Sequence, residues 1–136
     1  MHIGILDDNQ TILDYVKTML ELSGHTVATH TNSRSLFDVL FRSGSIATPL
    51  PYDLVILDLC LPGDLSGIEV YRTIRSNITG DSLPVLFCTA ASDRTIQGLQ
   101  DCLPEAIPLL RKPFRSGELL SKLDELCRDP HPAHAF

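Results

Sequence analysis

The sequence lacks the long apolar run a membrane helix requires, since no stretch approaches about 20 residues. It also lacks a basic n-region followed by a cleavage site, so no secretory leader is evident and a cytoplasmic protein is expected. Excess positive charge is missing too. The formal net charge is -6, which points away from a nucleic-acid-binding surface. No C-x-x-C spacing occurs among Cys60, Cys88, Cys102 and Cys127, so these read as reduced thiols acting as small buried hydrophobes. Internal repeats are absent. At 136 residues, 43% hydrophobic and 21% charged, the chain suits one domain with one core.

What is present is an alternation of strand-like and helix-like segments, repeated five times. Buried strands are expected over His2–Leu6, Leu54–Asp58 and Val85–Cys88, with a weaker one over Val27–Thr31. A fifth, Ile107–Arg111, contains Pro108 and so belongs at a sheet edge, because proline has no N–H for a neighbouring strand. Apolar residues at helical spacing predict helices over Asn9–Leu22 and Ser33–Arg42. Ser66-Gly67-Ile68-Glu69 is a capping box that opens a helix running to about Asn77. Further helices are expected over Asp93–Leu103 and Ser116–Cys127, the last with a stripe of Leu119, Leu120, Leu123 and Leu126. Ser43–Tyr52 reads as a loop, long for its place. Residues 1–127 are expected to form the domain, and residues 128–136 a flexible tail or the start of a linker. Right-handed crossovers and an edge position for the fifth strand fit a parallel sheet of order 2-1-3-4-5. Its reversal point then lies between the first and third strands, whose ends carry Asp7-Asp8 and Asp58.

Four of the apolar runs end in polar residues, so one sheet edge collects Asp7, Asp8, Asp58, Thr89 and Lys112. Two carboxylates about 5 Å apart repel by about 3 kcal/mol at an effective dielectric of about 20. Three cannot share a pocket ionised without compensation. Lys112 supplies one positive charge, and a divalent cation would neutralise the rest. Oxygen donors suit Mg²⁺, and the want of softer ligands argues against zinc. A carboxylate can attack phosphorus to give an aspartyl phosphate, and cations and hydroxyl donors then stabilise the phosphoryl oxygens. Asp58, ending the central strand, is the best-placed nucleophile. Singly, each residue has an ordinary reading: a helix cap for Asp8, an Asx-turn for Asp58, a strand-end hydroxyl for Thr89, a solvated charge for Lys112. Their joint placement favours the chemical one.

Asp7-Asp8, Asp58-Leu59-Cys60-Leu61-Pro62, Thr89-Ala90 and Lys112-Pro113-Phe114, in this order, resemble the receiver domain of two-component response regulators over about Met1–Cys127. The resemblance implies a flavodoxin-like, doubly wound α/β fold of five parallel strands and five helices. It implies that Asp58 accepts a phosphoryl group from a histidine kinase or phosphotransfer protein, switching the binding of a downstream protein. Asp8 would bind Mg²⁺ directly and Asp7 largely through water, with Asp58 and the backbone carbonyl of Cys60 as further ligands. Thr89 and Lys112 would contact the phosphoryl group, and the Lys112–Pro113 bond would be cis. No activity beyond the domain's own phosphorylation and dephosphorylation is implied, and homodimerisation is among the partner modes it allows. An aspartyl phosphatase would place a second Asp at position 60, where this chain has cysteine.

The pattern also departs from the family. Leu109 stands where a tyrosine or phenylalanine is common three residues before the lysine. Glu105-Ala106-Ile107-Pro108 replaces a more acidic lead-in to the fifth strand. The turn Leu61–Gly67 is one residue longer than the common version. These changes are expected to leave phosphorylation intact and alter its readout; the alternative is an interaction module that works without phosphorylation.

Overall fold

The structure is a computed structural model that describes residues 1–42, 44–59, 61, 66–103 and 106–127. The elements in chain order are β1 (His2–Leu6), α1 (Gln10–Leu22), β2 (Thr26–His30), α2 (Ser33–Leu40), β3 (Phe41–Arg42) and β4 (Ser45–Ile46). There follow β5 (Leu54–Asp58), α3 (Gly67–Asn77), β6 (Val85–Thr89), α4 (Asp93–Gln100), β7 (Leu109–Arg111) and α5 (Ser116–Cys127). The main sheet has the order β2-β1-β5-β6-β7 with every pair parallel, which is the expected 2-1-3-4-5 arrangement of its five strands.

Alternation along the strands divides the core between the two faces of this sheet. Ile3, Ile5, Leu54, Ile56, Leu86 and Cys88 face α1 and α5, meeting Leu13, Val16, Leu20, Leu119 and Leu123. Leu6, Val55, Leu57, Val85 and Phe87 face the other way, toward Leu36 and Leu40 of α2, Ile68, Tyr71 and Ile74 of α3, and Ile96 of α4. All five residues of β5 and of β6 are buried, as a central strand covered on both sides requires. In α1, Leu13, Val16, Met19 and Leu20 are buried and Ile12 is half-buried.

Local chemistry sets the element ends. Asn9 caps α1, its side chain accepting from the N–H groups of Thr11 (2.9 Å) and Ile12 (3.3 Å). The capping box opens α3 as expected, with Ser66 Oγ accepting from Glu69 N and the Glu69 carboxylate from Ser66 N.

Several boundaries differ from the pattern read in sequence: α1 starts at Gln10, after its Asn9 cap, and β6 runs on to Thr89. β2 lies one residue earlier. α2 stops at Leu40: Phe41 turns into extended backbone and pairs with Ile46 in a small antiparallel hairpin, helped by Gly44 at φ 77°, while its ring stays 5.9 Å from Phe37. The segment expected to be all loop therefore contains strand. α4 ends at Gln100, after which Cys102 and Leu103 donate to Leu99 and Gln100 in tighter three-residue turns. β7 begins at Leu109, not Ile107. Pro108 cannot donate, and serves only by accepting from Phe87 N (3.0 Å), on the edge strand where proline is tolerated.

The cysteines divide. Cys88 is buried, but Cys102 and Cys127 are exposed, which corrects their reading as core residues. Cys102 lies in the turn after α4. Cys127 continues the Leu119–Leu123 spacing but lies at the surface, where its Sγ meets Met1 Sδ ahead of β1. The turn at 62–65, Cys60, Glu105 and residues 128–136 lie outside the described residues.

Candidate functional site

The registers of the sheet bring the expected residues together. Leu6 pairs with Leu57, so the chain leaves β1 and β5 side by side, and Asp58 pairs with Cys88 next to Thr89. The backbone N–H of Lys112 donates to Thr89 O (2.8 Å), which brings the lysine to the same edge. Asp7, Asp8 and Asp58 then offer carboxylate oxygens that all lie within 4.8 Å of one another. Asp7, Asp58 and Thr89 are buried, at 3%, 8% and 1% exposure, while Asp8 faces solvent.

Lys112 is the counterweight. Its Nζ donates to Asp7 Oδ2 at 2.6 Å and to Asp58 Oδ2 at 3.2 Å, with its side chain only 13% exposed. Burial alone would lower the ammonium pKa. The Asp7 hydrogen bond and the charges of Asp58 and Asp7 outweigh it and hold the group above its ordinary value. The other Asp7 oxygen, Oδ1, accepts from Asn9 N at 2.9 Å. Both oxygens of Asp7 are thus engaged by the protein. Beneath the pocket the Cys88 thiol is pushed up to about 12, by burial first and then by Asp58 and Asp7 against the opposing pull of Lys112, so it stays protonated and inert.

Thr89 is poised beside this cluster. Its Oγ1 accepts from Ala91 N at 3.0 Å, which leaves the hydroxyl proton available to another acceptor. The Lys112–Pro113 bond is cis. Three carboxylates against one ammonium leave the pocket with a negative excess, and its donors are all hard oxygens, which fits a small divalent cation.

Two supporting features have no sign in the sequence pattern. Gly67 begins α3 so close to β5 that a Cβ there would lie 2.1 Å from Asp58 O and 2.8 Å from Leu59 Cα. The Gly67 N–H donates to Leu59 O at 3.2 Å, fastening the helix start to the end of the strand. His30, at the end of β2, accepts from the backbone N–H of Asp7 at 3.2 Å. The capping box announced the helix at Gly67 but not this approach; His30 carries no local motif.

A family model described as the response regulator receiver domain matches residues 3–124. The chain belongs to the response regulator receiver domain family. Among curated relatives, the response regulator MprA of Mycolicibacterium vanbaalenii is 33% identical over 135 residues, covering 97% of this chain and 52% of its own length. The nisin biosynthesis regulatory protein NisR of Lactococcus lactis is 31% identical over 140 residues, covering 98% of this chain and 55% of its own. The chain spans about half the length of these relatives. The solved chemotaxis protein CheY4 of Vibrio cholerae superposes with a TM-score of 0.74 at 22% identity, covering 92% of this chain and 97% of that one. A response regulator receiver protein from Burkholderia phymatum gives 0.73 at 28% identity, covering 92% and 93%. The fold is thus that of a flavodoxin-like, CheY-type receiver, a family that serves phosphorylation-based two-component signalling and is not a family of conventional enzymes. No helix among the described residues of this receiver domain is long and apolar enough to cross a membrane.

Proposed function

We propose that this receiver domain, taken as residues 1–127, accepts a phosphoryl group on Asp58 in an Mg²⁺-dependent reaction and thereby changes its affinity for a downstream protein. The observation that carries the reading is the bridging of buried Asp7 and Asp58 by Lys112 within an acidic cluster at the sheet edge. A carboxylate oxygen of Asp58 attacks phosphorus of a phosphohistidine on a histidine kinase or phosphotransfer protein. The new P–O bond forms as the P–N bond breaks, and the imidazole leaves. Lys112 shifts its donation from the carboxylates to a phosphoryl oxygen, and the Thr89 hydroxyl donates to another.

Asp8, Asp7, Asp58 and the backbone carbonyl of Cys60 would hold the cation. Engagement of both Asp7 oxygens favours Asp8 as the direct ligand and Asp7 as one acting through water. When bound, Mg²⁺ supplies the positive charge that offsets the phosphoryl oxygens. The setting is cytoplasmic, where the kinase domains that donate to such proteins reside. Incubation with a small phosphoryl donor and Mg²⁺ adds one phosphoryl group, read by intact mass. Asp58→Asn abolishes the addition. An unlabelled wild-type protein with its fold intact, or a labelled Asp58→Asn variant, overturns the proposal.

A further inference from the structure

Outside the acidic pocket, the described core holds one buried histidine. His30 is 6% exposed, and its ring is held from two sides. Nδ1 lies 2.6 Å from Ser35 Oγ on α2, and Nε2 lies 2.6 Å from Tyr52 Oη, just ahead of β5. The Tyr52 ring meets the imidazole edge-on at 5.9 Å and covers β1 at Gly4, where a Cβ would come within 2.5 Å of it. Glycine is required there so that the tyrosine can cross the strand and reach the histidine. Hydroxyls on both sides satisfy either tautomer of a neutral ring, so the network is complete, and removing one member leaves a buried polar atom unpaired.

The same residue touches the site through its backbone. The His30 carbonyl accepts from Asp7 N, and Asp7 is the carboxylate that Lys112 holds at 2.6 Å. We infer that His30, clamped by Tyr52 and Ser35, is a positioning residue for the Asp7-Asp8 pair. The clamp fixes the end of β2, the end of β2 fixes the Asp7 backbone, and a fixed backbone presents both carboxylates without further ordering when a cation binds. Groups behind metal ligands commonly tune affinity in this way. The inference rests on the proposed metal-holding role of the pair, and it links that role to the segment between β4 and β5 that carries Tyr52.

Tyr52→Phe keeps the ring over Gly4 and removes only the hydroxyl. Three measurements follow it: amide hydrogen exchange of the metal-free protein, Mg²⁺ titration, and the urea midpoint. The Asp7 amide is expected to exchange about tenfold faster, beyond the change at β5 and β6, and Mg²⁺ affinity to fall about three- to tenfold, short of the loss typical of a group bonded directly to a ligand. Adding His30→Leu, which removes the unpaired nitrogen, restores the urea midpoint but not the Mg²⁺ affinity. An Asp7 amide that moves only with the core amides overturns the inference, as does wild-type Mg²⁺ affinity in Tyr52→Phe. A wild-type chain that takes up no Mg²⁺ defeats the proposed function instead, and the Asp7 amide alone then decides this inference.

Discussion

Arg111 and Lys112 are neighbours in sequence, yet they serve two differently built regions. Lys112 turns inward and is held between two buried carboxylates. Arg111 turns outward and pairs with Asp93 at the start of α4, the two side chains being 54% and 85% exposed. The contrast extends around each residue. The pocket rests on β5 and β6, buried at every position. The α4–β7 edge consists of an eight-residue helix that buries only Ile96 and a three-residue strand in which Leu109 is half-buried. An exposed ion pair contributes roughly 0–1 kcal/mol, whereas breaking a buried one costs several times that. The acidic cluster therefore sits against the densely buried middle of the sheet, and the sparsely buried α4–β7 edge, from which Lys112 reaches in, lies beside it. Elements with few buried contacts are those that open or shift at low cost.

The largest expected effect tests the rigid side. Lys112→Met removes the ammonium and leaves Asp7 and Asp58 facing each other unneutralised. The metal-free protein should lose about 3 kcal/mol or more of stability in urea unfolding, with Mg²⁺ recovering part of it. The pH dependence has a definite sign. The folded-state pKa of Lys112 is raised, because the Asp7 bond and neighbouring charges exceed the opposing effect of burial. Its contribution is therefore full below the ordinary value of 10.5 and is lost as pH rises through the raised one. The gap between wild type and variant should hold constant from pH 7 to about 10 and narrow only in stronger alkali. A gap that closes near neutrality would mean that burial outweighs the carboxylates at Lys112, and a gap near zero at every pH would place it with Arg111 as a surface charge.

A smaller loss is expected from Gly67→Ala. The added methyl meets Asp58 O at 2.1 Å and the Leu59 backbone at 2.8 Å, atoms with no side-chain freedom to yield. Overpacking of this kind costs about 1–3 kcal/mol. Because the atom displaced belongs to Asp58, the rate of phosphoryl uptake should fall further than the stability loss accounts for. Uptake at the wild-type rate in a protein that melts earlier would show that the pocket tolerates movement and that the two regions differ less than their burial suggests.

The two regions also differ in how far the sequence discloses them. The pocket was legible because each of its polar groups terminates an apolar run, and parallel strands put such ends on one edge. Pro108 announced the edge strand for a reason independent of packing: it has no N–H to give. What stayed hidden depends on contacts remote in sequence or on very short ladders. The β3–β4 hairpin is two residues a side, too short for any period, and the helical spacing of Leu36, Phe37, Leu40 and Phe41 runs straight through the point where the backbone leaves α2. The His30–Tyr52 bond spans 22 residues, and the approach of Gly67 to Asp58 exists only once α3 has docked. The exposure of Cys102 and Cys127 follows from where a helix ends relative to the sheet, which hydropathy does not encode.

The smallest expected effect tests the pliant side, and it has the opposite sign. Gly98 lies inside α4, and a Cβ built there meets nothing within 4 Å. Gly98→Ala should therefore stabilise α4 by about 0.5–1 kcal/mol, the backbone freedom that glycine forfeits in a helix. Amide exchange across α4 should slow, while Mg²⁺-dependent labelling of Asp58 stays at the wild-type level because the substitution is remote from the pocket. If α4 must shift for a phosphorylated pocket to be read, the same variant should also blunt the change in α4 exchange that follows labelling. Unaltered labelling with a blunted response would separate the two regions functionally as well as structurally. An altered labelling rate would mean that α4 and the pocket move together, and that Arg111 and Lys112 belong to one unit after all.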